Sequence, residues 1–144
     1  MPSAILKCYI AVDGTNVLRN WYAALDGRVK GDFRGAIELL EHSECNRWKY
    51  AAVFKSLEKR VGSHCLGISE IIVDQKGHDY RILGFCGPSR NEFTMLYVFD
   101  KSIDAKYKEP CVISQERKAE VIDDHRRSQY WEFPPVDEDW QSRS

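Results

Sequence analysis

Ile68-Ser69-Glu70-Ile71-Ile72-Val73-Asp74, Asp79-Tyr80-Arg81-Ile82-Leu83-Gly84-Phe85-Cys86 and Glu92-Phe93-Thr94-Met95-Leu96-Tyr97-Val98-Phe99 follow one another with short gaps between them. Each run is rich in β-branched and aromatic residues and reads as a strand. The gaps, Gln75-Lys76-Gly77-His78 and Gly87-Pro88-Ser89-Arg90-Asn91, have the length and composition of hairpin turns. Consecutive hairpins imply antiparallel pairing. The third run places Phe93, Met95, Tyr97 and Phe99 on one face and Leu96 and Val98 on the other, so it is expected at the centre of the sheet. The middle run holds Arg81 among apolar neighbours. Burying a guanidinium there is costly unless an anion meets it or that side of the sheet stays open.

Outward from this segment the pattern changes to helices. Residues 5–12 form a short apolar run stopped by Asp13-Gly14, expected as a first strand. Thr15 or Asn16 then caps a helix whose apolar face is Val17, Leu18, Trp21, Tyr22 and Leu25. Asp26-Gly27 ends or interrupts it, and a second helix presents Phe33, Ala36, Ile37, Leu39 and Leu40 on one side. A further short helix is expected over residues 48–59, with Ala51, Phe54 and Leu57 inward. After the three strands, Ser114-x-x-Arg117 starts a last amphipathic helix with Ala119, Val121 and Ile122 as its apolar positions. Past Arg126-Arg127 the chain turns polar and aromatic and carries Pro134-Pro135. The expected organisation is an α+β domain over residues 1–127, with an N-terminal strand and helices packed on an antiparallel sheet, followed by a C-terminal helix. A flexible acidic and aromatic tail then covers residues 128–144.

With 144 residues the chain is expected to bury one core without metals or disulfides. No apolar run approaches the ~20 residues that span a bilayer, and the first residues lack the pattern of a secretory signal. The five cysteines are scattered without Cys-x-x-Cys spacing, which points to free thiols in a reducing cytoplasm and to no metal site. Net charge is −1, so composition does not announce a nucleic-acid binder. Lys and Arg nevertheless outnumber Asp and Glu between Arg28 and Arg60, while Glu132, Asp137, Glu138 and Asp139 make the end of the chain acidic.

Four short motifs occur in order along this frame: Lys55-Ser56-Leu57, Ile68-Ser69-Glu70-Ile71, Tyr80-Arg81-Ile82-Leu83 and Phe99-Asp100-Lys101. In these motifs and in element order over roughly residues 5–125, the chain resembles the RelE/ParE toxin superfamily, specifically its HigB-like, phage-derived branch. The resemblance implies a RelE-like fold and the toxin of a type II toxin–antitoxin system. Such a toxin is neutralised by a cognate antitoxin, acts on ribosome-bound mRNA in the cytoplasm, and uses no cofactor or metal. The chain departs from the family pattern at Ile72, where a strand arginine is usual, and at Lys101-Ser102, where a double lysine is common. Its near-neutral charge also contrasts with the strongly basic toxins.

Members that cut mRNA do so by attack of a ribose 2′-hydroxyl on the adjacent phosphate, which needs a base, cations for the phosphorane and a proton donor. The matched positions supply Arg81 as a phosphate clamp, Lys101 as a second cation and Tyr107 as a stacking or proton-transferring group. His78, in the turn before Arg81, is a candidate acid or base. Lys55, Lys76, Arg81 and Lys101 are the RNA-contacting candidates. Each residue also has an ordinary role available: Arg81 paired with Glu70 across the hairpin, Lys101 a solvated strand end, Tyr107 a half-buried amphipathic residue, and His78 an exposed turn residue. Three functions follow from the resemblance. The first is a ribosome-dependent endoribonuclease. The second is a catalytically silent RelE-fold module that binds protein or RNA, and the third a ParE-like inhibitor of DNA gyrase. For the tail, the alternatives are disorder or docking of Tyr130-Trp131-Glu132-Phe133 on the basic sheet face.

Overall fold

The computed structural model describes residues 3–58, 63–75 and 77–134. Strand β1 (Ile5–Tyr9) leads into helices α1 (Val17–Ala23) and α2 (Gly27–Glu41) and a 3-10 helix at Cys45–Tyr50. Strand β2 (Phe54–Ser56) and a 3-10 turn at Ser63–Cys65 precede β3 (Ser69–Gln75), β4 (His78–Cys86) and β5 (Glu92–Asp100). Helix α3 (Lys108–Asp123), a 3-10 turn (His125–Arg127) and β6 (Ser128–Tyr130) complete the described chain. The six strands form one sheet in the order β2-β3-β4-β5-β1-β6. Both hairpins read from the sequence are present, and β5 lies between β4 and β1. β1 runs parallel to β5, and the remaining pairs are antiparallel.

The caps explain where the first helices begin. Asn16 Oδ1 accepts from the Arg19 amide at 3.0 Å, satisfying an otherwise unpaired donor at the start of α1. Asp26 does the same for α2, accepting from the Arg28 and Val29 amides, so Asp26-Gly27 both breaks the first helix and starts the second. The apolar faces of α1 and α2, including Leu18, Tyr22, Val29, Phe33, Ile37 and Leu40, are buried with Ile71, Val73, Ile82, Phe93 and Met95 of the sheet. On the other face, Cys111 and Val121 of α3 join Leu57, Leu83, Phe85 and Leu96. The sheet is therefore a middle layer, with α1 and α2 on one side and α3 on the other.

Strict alternation fails in β5 at a bulge. Leu83 pairs with Tyr97 but its neighbour Gly84 pairs with Met95, leaving Leu96 as the extra residue. Phe93 and Met95 thus face α1 and α2, while Tyr97 and Phe99 face α3. This corrects the single face read for Phe93, Met95, Tyr97 and Phe99. A one-residue insertion reverses every later side chain, and nothing in an apolar run marks where it falls.

Other expectations change for equally local reasons. Over residues 48–56 the helix expected for residues 48–59 is replaced by the end of a 3-10 helix and by β2, because Phe54 and Lys55 pair with Ile71 and Glu70 at the sheet edge, and residue 59 lies outside the described residues. A short apolar run fits strand and helix equally until its partner is known. α3 begins six residues before Ser114, with Pro110 in its first turn, where a missing amide costs nothing. Leu39 and Ile122, expected inward, are exposed. Residues 128–134 are not a loose tail. β6 pairs with β1, and the rings of Trp131 and Phe133 meet Tyr22 and Phe33 edge-on, on the face of α1 and α2. Ring pairs of this kind add about 0.5–1.5 kcal/mol each beyond their buried area, enough to pin a three-residue edge strand. The rest of the expected tail, 135–144, lies outside the described residues.

The cysteines also pair. Cys45 bonds Cys86 and Cys65 bonds Cys111, while Cys8 is a buried free thiol. The partners are 41 and 46 residues apart in the chain, so only the fold brings them together. The expectation of five free thiols fails, and the argument for a reducing compartment lapses with it. Among the described residues, no helix is long and apolar enough to cross a membrane.

Candidate functional site under helix α3

Residues on one face of β3 and β4 recur at every second position. Glu70 and Ile72 on β3 therefore share a face with Asp79, Arg81 and Leu83 on β4, and Ile72 stands directly opposite Arg81. Arg81 does not look out of this face. Its Nη1 donates to Glu70 Oε1 at 2.7 Å, and its Nε and Nη2 donate to Asp79 Oδ1 and Oδ2 at 2.8 and 3.0 Å. The side chain is only 11% exposed. Burial works against its charge, but the bonds to Asp79 and the charge of Glu70 outweigh it and hold Arg81 above its ordinary pKa. Of the roles open to Arg81 in the sequence, the geometry shows pairing with Glu70, and Asp79 closes the other side of the guanidinium.

Tyr107, just ahead of the first turn of α3, completes the cluster. Its hydroxyl donates to Glu70 Oε2 at 2.7 Å and lies 3.5 Å from Arg81 Nη1. Burial and the bond to Glu70 raise its pKa, so the phenol stays protonated at neutral pH. Its ring meets Phe99 edge-on, and Lys101 Nζ sits 5.4 Å from its centroid. Arg81, Lys101 and Tyr107 thus lie close together. What surrounds them is different from the open cationic surface expected. Two carboxylates, Glu70 and Asp79, answer Arg81, and α3 covers the face.

His78 is separated from this group by the sheet. It stacks on Tyr80 at 5.2 Å, and Tyr80 packs on Trp21 of α1. His78 Nδ1 donates to Asp100 Oδ2 at 2.9 Å, and Asp100 also accepts from the Asp79 and Ser102 amides and from the Ser102 hydroxyl. Burial raises the Asp100 pKa, but these bonds, led by those from Ser102 and His78, more than reverse it and hold the carboxyl below the usual range. Three steps of alternation along β4 place His78 and Arg81 on opposite faces, so they do not act on one phosphate. Lys55 is exposed on edge strand β2, opposite Glu70 in register. Lys76 lies outside the described residues.

A groove opens beside the cluster, where β5 ends and α3 begins. It has a volume of about 630 Å³ and is lined by Tyr97, Phe99, Ile103, Pro110 and Val112 together with Asp100, Asp104, Glu109, Lys106 and Lys108. Ile103 is 83% exposed, and Val112 beside it on the groove is partly exposed as well. The sequence reading missed this groove because its lining comes from a strand end, a loop and a helix start. It also missed Asp79, although the Asp-x-Arg spacing within a strand puts both side chains on one face and was legible.

Further along α3, polar contacts hold the helix. Arg117 lies between the rings of Tyr9 and Tyr97 and donates to the carbonyl of Leu96, the bulged residue, at 2.7 Å. Glu120 accepts from the Tyr9 hydroxyl at 2.6 Å and from Arg127 at 3.1 Å. Comparison with family models, with curated proteins and with solved structures returned no match.

Proposed function

We propose that this chain is a catalytically silent RelE-fold module that binds a protein partner. The observation that carries this is the saturation of Arg81 by Glu70 and Asp79 beneath α3. Cleavage through a 2′-hydroxyl needs cations free to meet the charge that develops on phosphate. A guanidinium already neutralised by two carboxylates offers the phosphate little, and the neighbouring carboxylates repel it. Ile72, where the family pattern has a second arginine, adds no charge. The RelE-like element order and the four matched motifs support the fold part of this reading. The exposed apolar groove at Ile103 and Val112 supports a protein partner over RNA.

The convergence of Arg81, Lys101 and Tyr107 favours a second reading, the mRNA-cutting toxin held by an antitoxin. Induced expression of the wild type and of Arg81→Ala, with growth and mRNA integrity followed, separates the two. The binding-module reading expects equal growth and intact mRNA in both. Cleaved mRNA in the wild type that disappears in a folded Arg81→Ala chain overturns it.

A further inference from the structure

α3 is attached in an uneven way. Its buried residues are Pro110, Cys111, Ser114 and Val121, a sparse set for a helix of 16 residues, and Ser114 Oγ is buried without a hydrogen-bond partner among the described residues. A helix held by a continuous apolar stripe would bury more. The C-terminal half is secured by Val121 and by the contacts of Arg117 and Glu120 with β1 and β5. The N-terminal half depends on the Ser63–Cys65 turn and on Leu66 just after it. Cys111 bonds Cys65 there, and Gln115 Nε2 donates to the carbonyls of His64 and Leu66 at 3.2 and 2.6 Å.

We propose that Cys65–Cys111 is a redox latch: oxidised, it holds the N-terminal half of α3 on the sheet, and reduced, it lets residues 108–115 lift away. This deepens the binding-module reading and rests on it, because Lys108, Pro110 and Val112 form one wall of the groove offered to a partner. The same movement takes Tyr107 off Glu70 and uncovers Arg81. The reductant is a dithiol. One of its thiolates attacks a sulfur of the Cys65–Cys111 bond, forming a mixed disulfide, and its second thiol displaces the remaining cysteine. The dithiol leaves as a disulfide, and two electrons and two protons end on Cys65 and Cys111. Both cysteines are 0% exposed, so exchange proceeds through local opening of α3, for which its thin apolar anchorage is suited. Cys45–Cys86 does not serve this role. It ties the buried Cys45 of the 3-10 helix after α2 to the exposed Cys86 at the end of β4, away from α3, so its reduction leaves the attachment of α3 untouched.

Amide hydrogen exchange of the full chain, oxidised and in dithiothreitol, tests the latch. On reduction, exchange over residues 108–115 is expected to accelerate at least about tenfold, with β4 and β5 changing less than about twofold. Cys65→Ser/Cys111→Ser reproduces the acceleration without reductant, and Cys45→Ser/Cys86→Ser leaves α3 protected. Where the first double variant does not fold, dithiothreitol is added to the folded Cys45→Ser/Cys86→Ser chain, in which Cys65–Cys111 is the bond left to reduce. Unchanged exchange over 108–115 overturns the latch, and so does equal acceleration in β4 and β5, which marks a staple of the whole fold. No partner enters this measurement, so its failure leaves the binding-module reading standing, and mRNA cleavage defeats that reading without touching the latch.

Discussion

Glu70 on β3 and Arg81 on β4 are diagonal neighbours across a hairpin, and their side chains meet at 2.7 Å under α3. Glu70 is 1% exposed, so its charge has almost no water to fall back on. Removing one partner of such a pair leaves the other buried and uncompensated, which typically costs about 3–5 kcal/mol. Arg81→Ala is therefore expected to lower unfolding free energy by about that amount, while Glu70→Leu/Arg81→Met costs less than either single change. Urea denaturation of the three variants measures this. Additive losses would mean that the pair is not coupled.

The thiol chemistry makes a sharper claim about connectivity. Denatured without reductant, the chain is expected to titrate one thiol, Cys8, and five after reduction. In the folded chain Cys8 reacts slowly, because burial raises its pKa and lowers the thiolate fraction. Five reactive thiols without reductant would eliminate both disulfides, and with them the latch.

The fold was legible where period and punctuation coincide. Three alternating runs with turn residues between them gave β3, β4 and β5, and Asn16 and Asp26 marked the starts of the first helices. What escaped was set by contacts distant in sequence. Phe54 became strand only by pairing with Ile71, and the bulge at Leu96 turned Tyr97 toward α3, where Arg117 meets it. The site was legible as a list, not as an environment. Arg81, Lys101 and Tyr107 do converge, but the partners that neutralise Arg81, and the sheet that separates it from His78, follow from register.

Asp100 sets an acid limit on the far face. Its folded pKa lies below that of an unfolded aspartate, ~3.9, so the unfolded chain binds its proton first. The stability it contributes is fully present above the unfolded value and is lost as pH falls through ~4 toward the folded pKa. Asp100→Asn is expected to flatten the loss of melting temperature between about pH 5 and pH 3 relative to wild type. An unchanged acid slope would remove Asp100 from the account.

Gly84 stands at the β5 bulge, where there is no room for a side chain. A Cβ there would overlap the Thr94 carbonyl oxygen and the ring of Phe93. Both are buried and neither is the free end of a flexible chain, so Gly84→Ala is expected to destabilise by about 1–3 kcal/mol. A thermal melt within a degree of wild type would show that the strands part at no cost. By contrast Gly31 has open space around it, and Gly31→Ala within α2 is expected to stabilise by about 0.5–1 kcal/mol.

Tyr107→Phe separates structure from chemistry most directly. The change keeps the ring against Phe99 and beneath Lys101 and removes only the hydroxyl that donates to Glu70. Losing that donor to a buried carboxylate is expected to cost about 1–3 kcal/mol. The alkaline side should also change. The Tyr107 pKa is raised on folding, so the unfolded chain releases this proton first, and stability falls as pH rises through about 10. Tyr107→Phe is expected to lose that component of the alkaline decline. If the cluster serves only to fasten α3, groove binding by the folded Tyr107→Phe chain matches wild type and its hydrogen exchange over 108–115 rises modestly. A folded Tyr107→Phe chain that loses an RNA-cutting activity present in wild type would instead make the hydroxyl a proton donor, and the binding-module reading would fall.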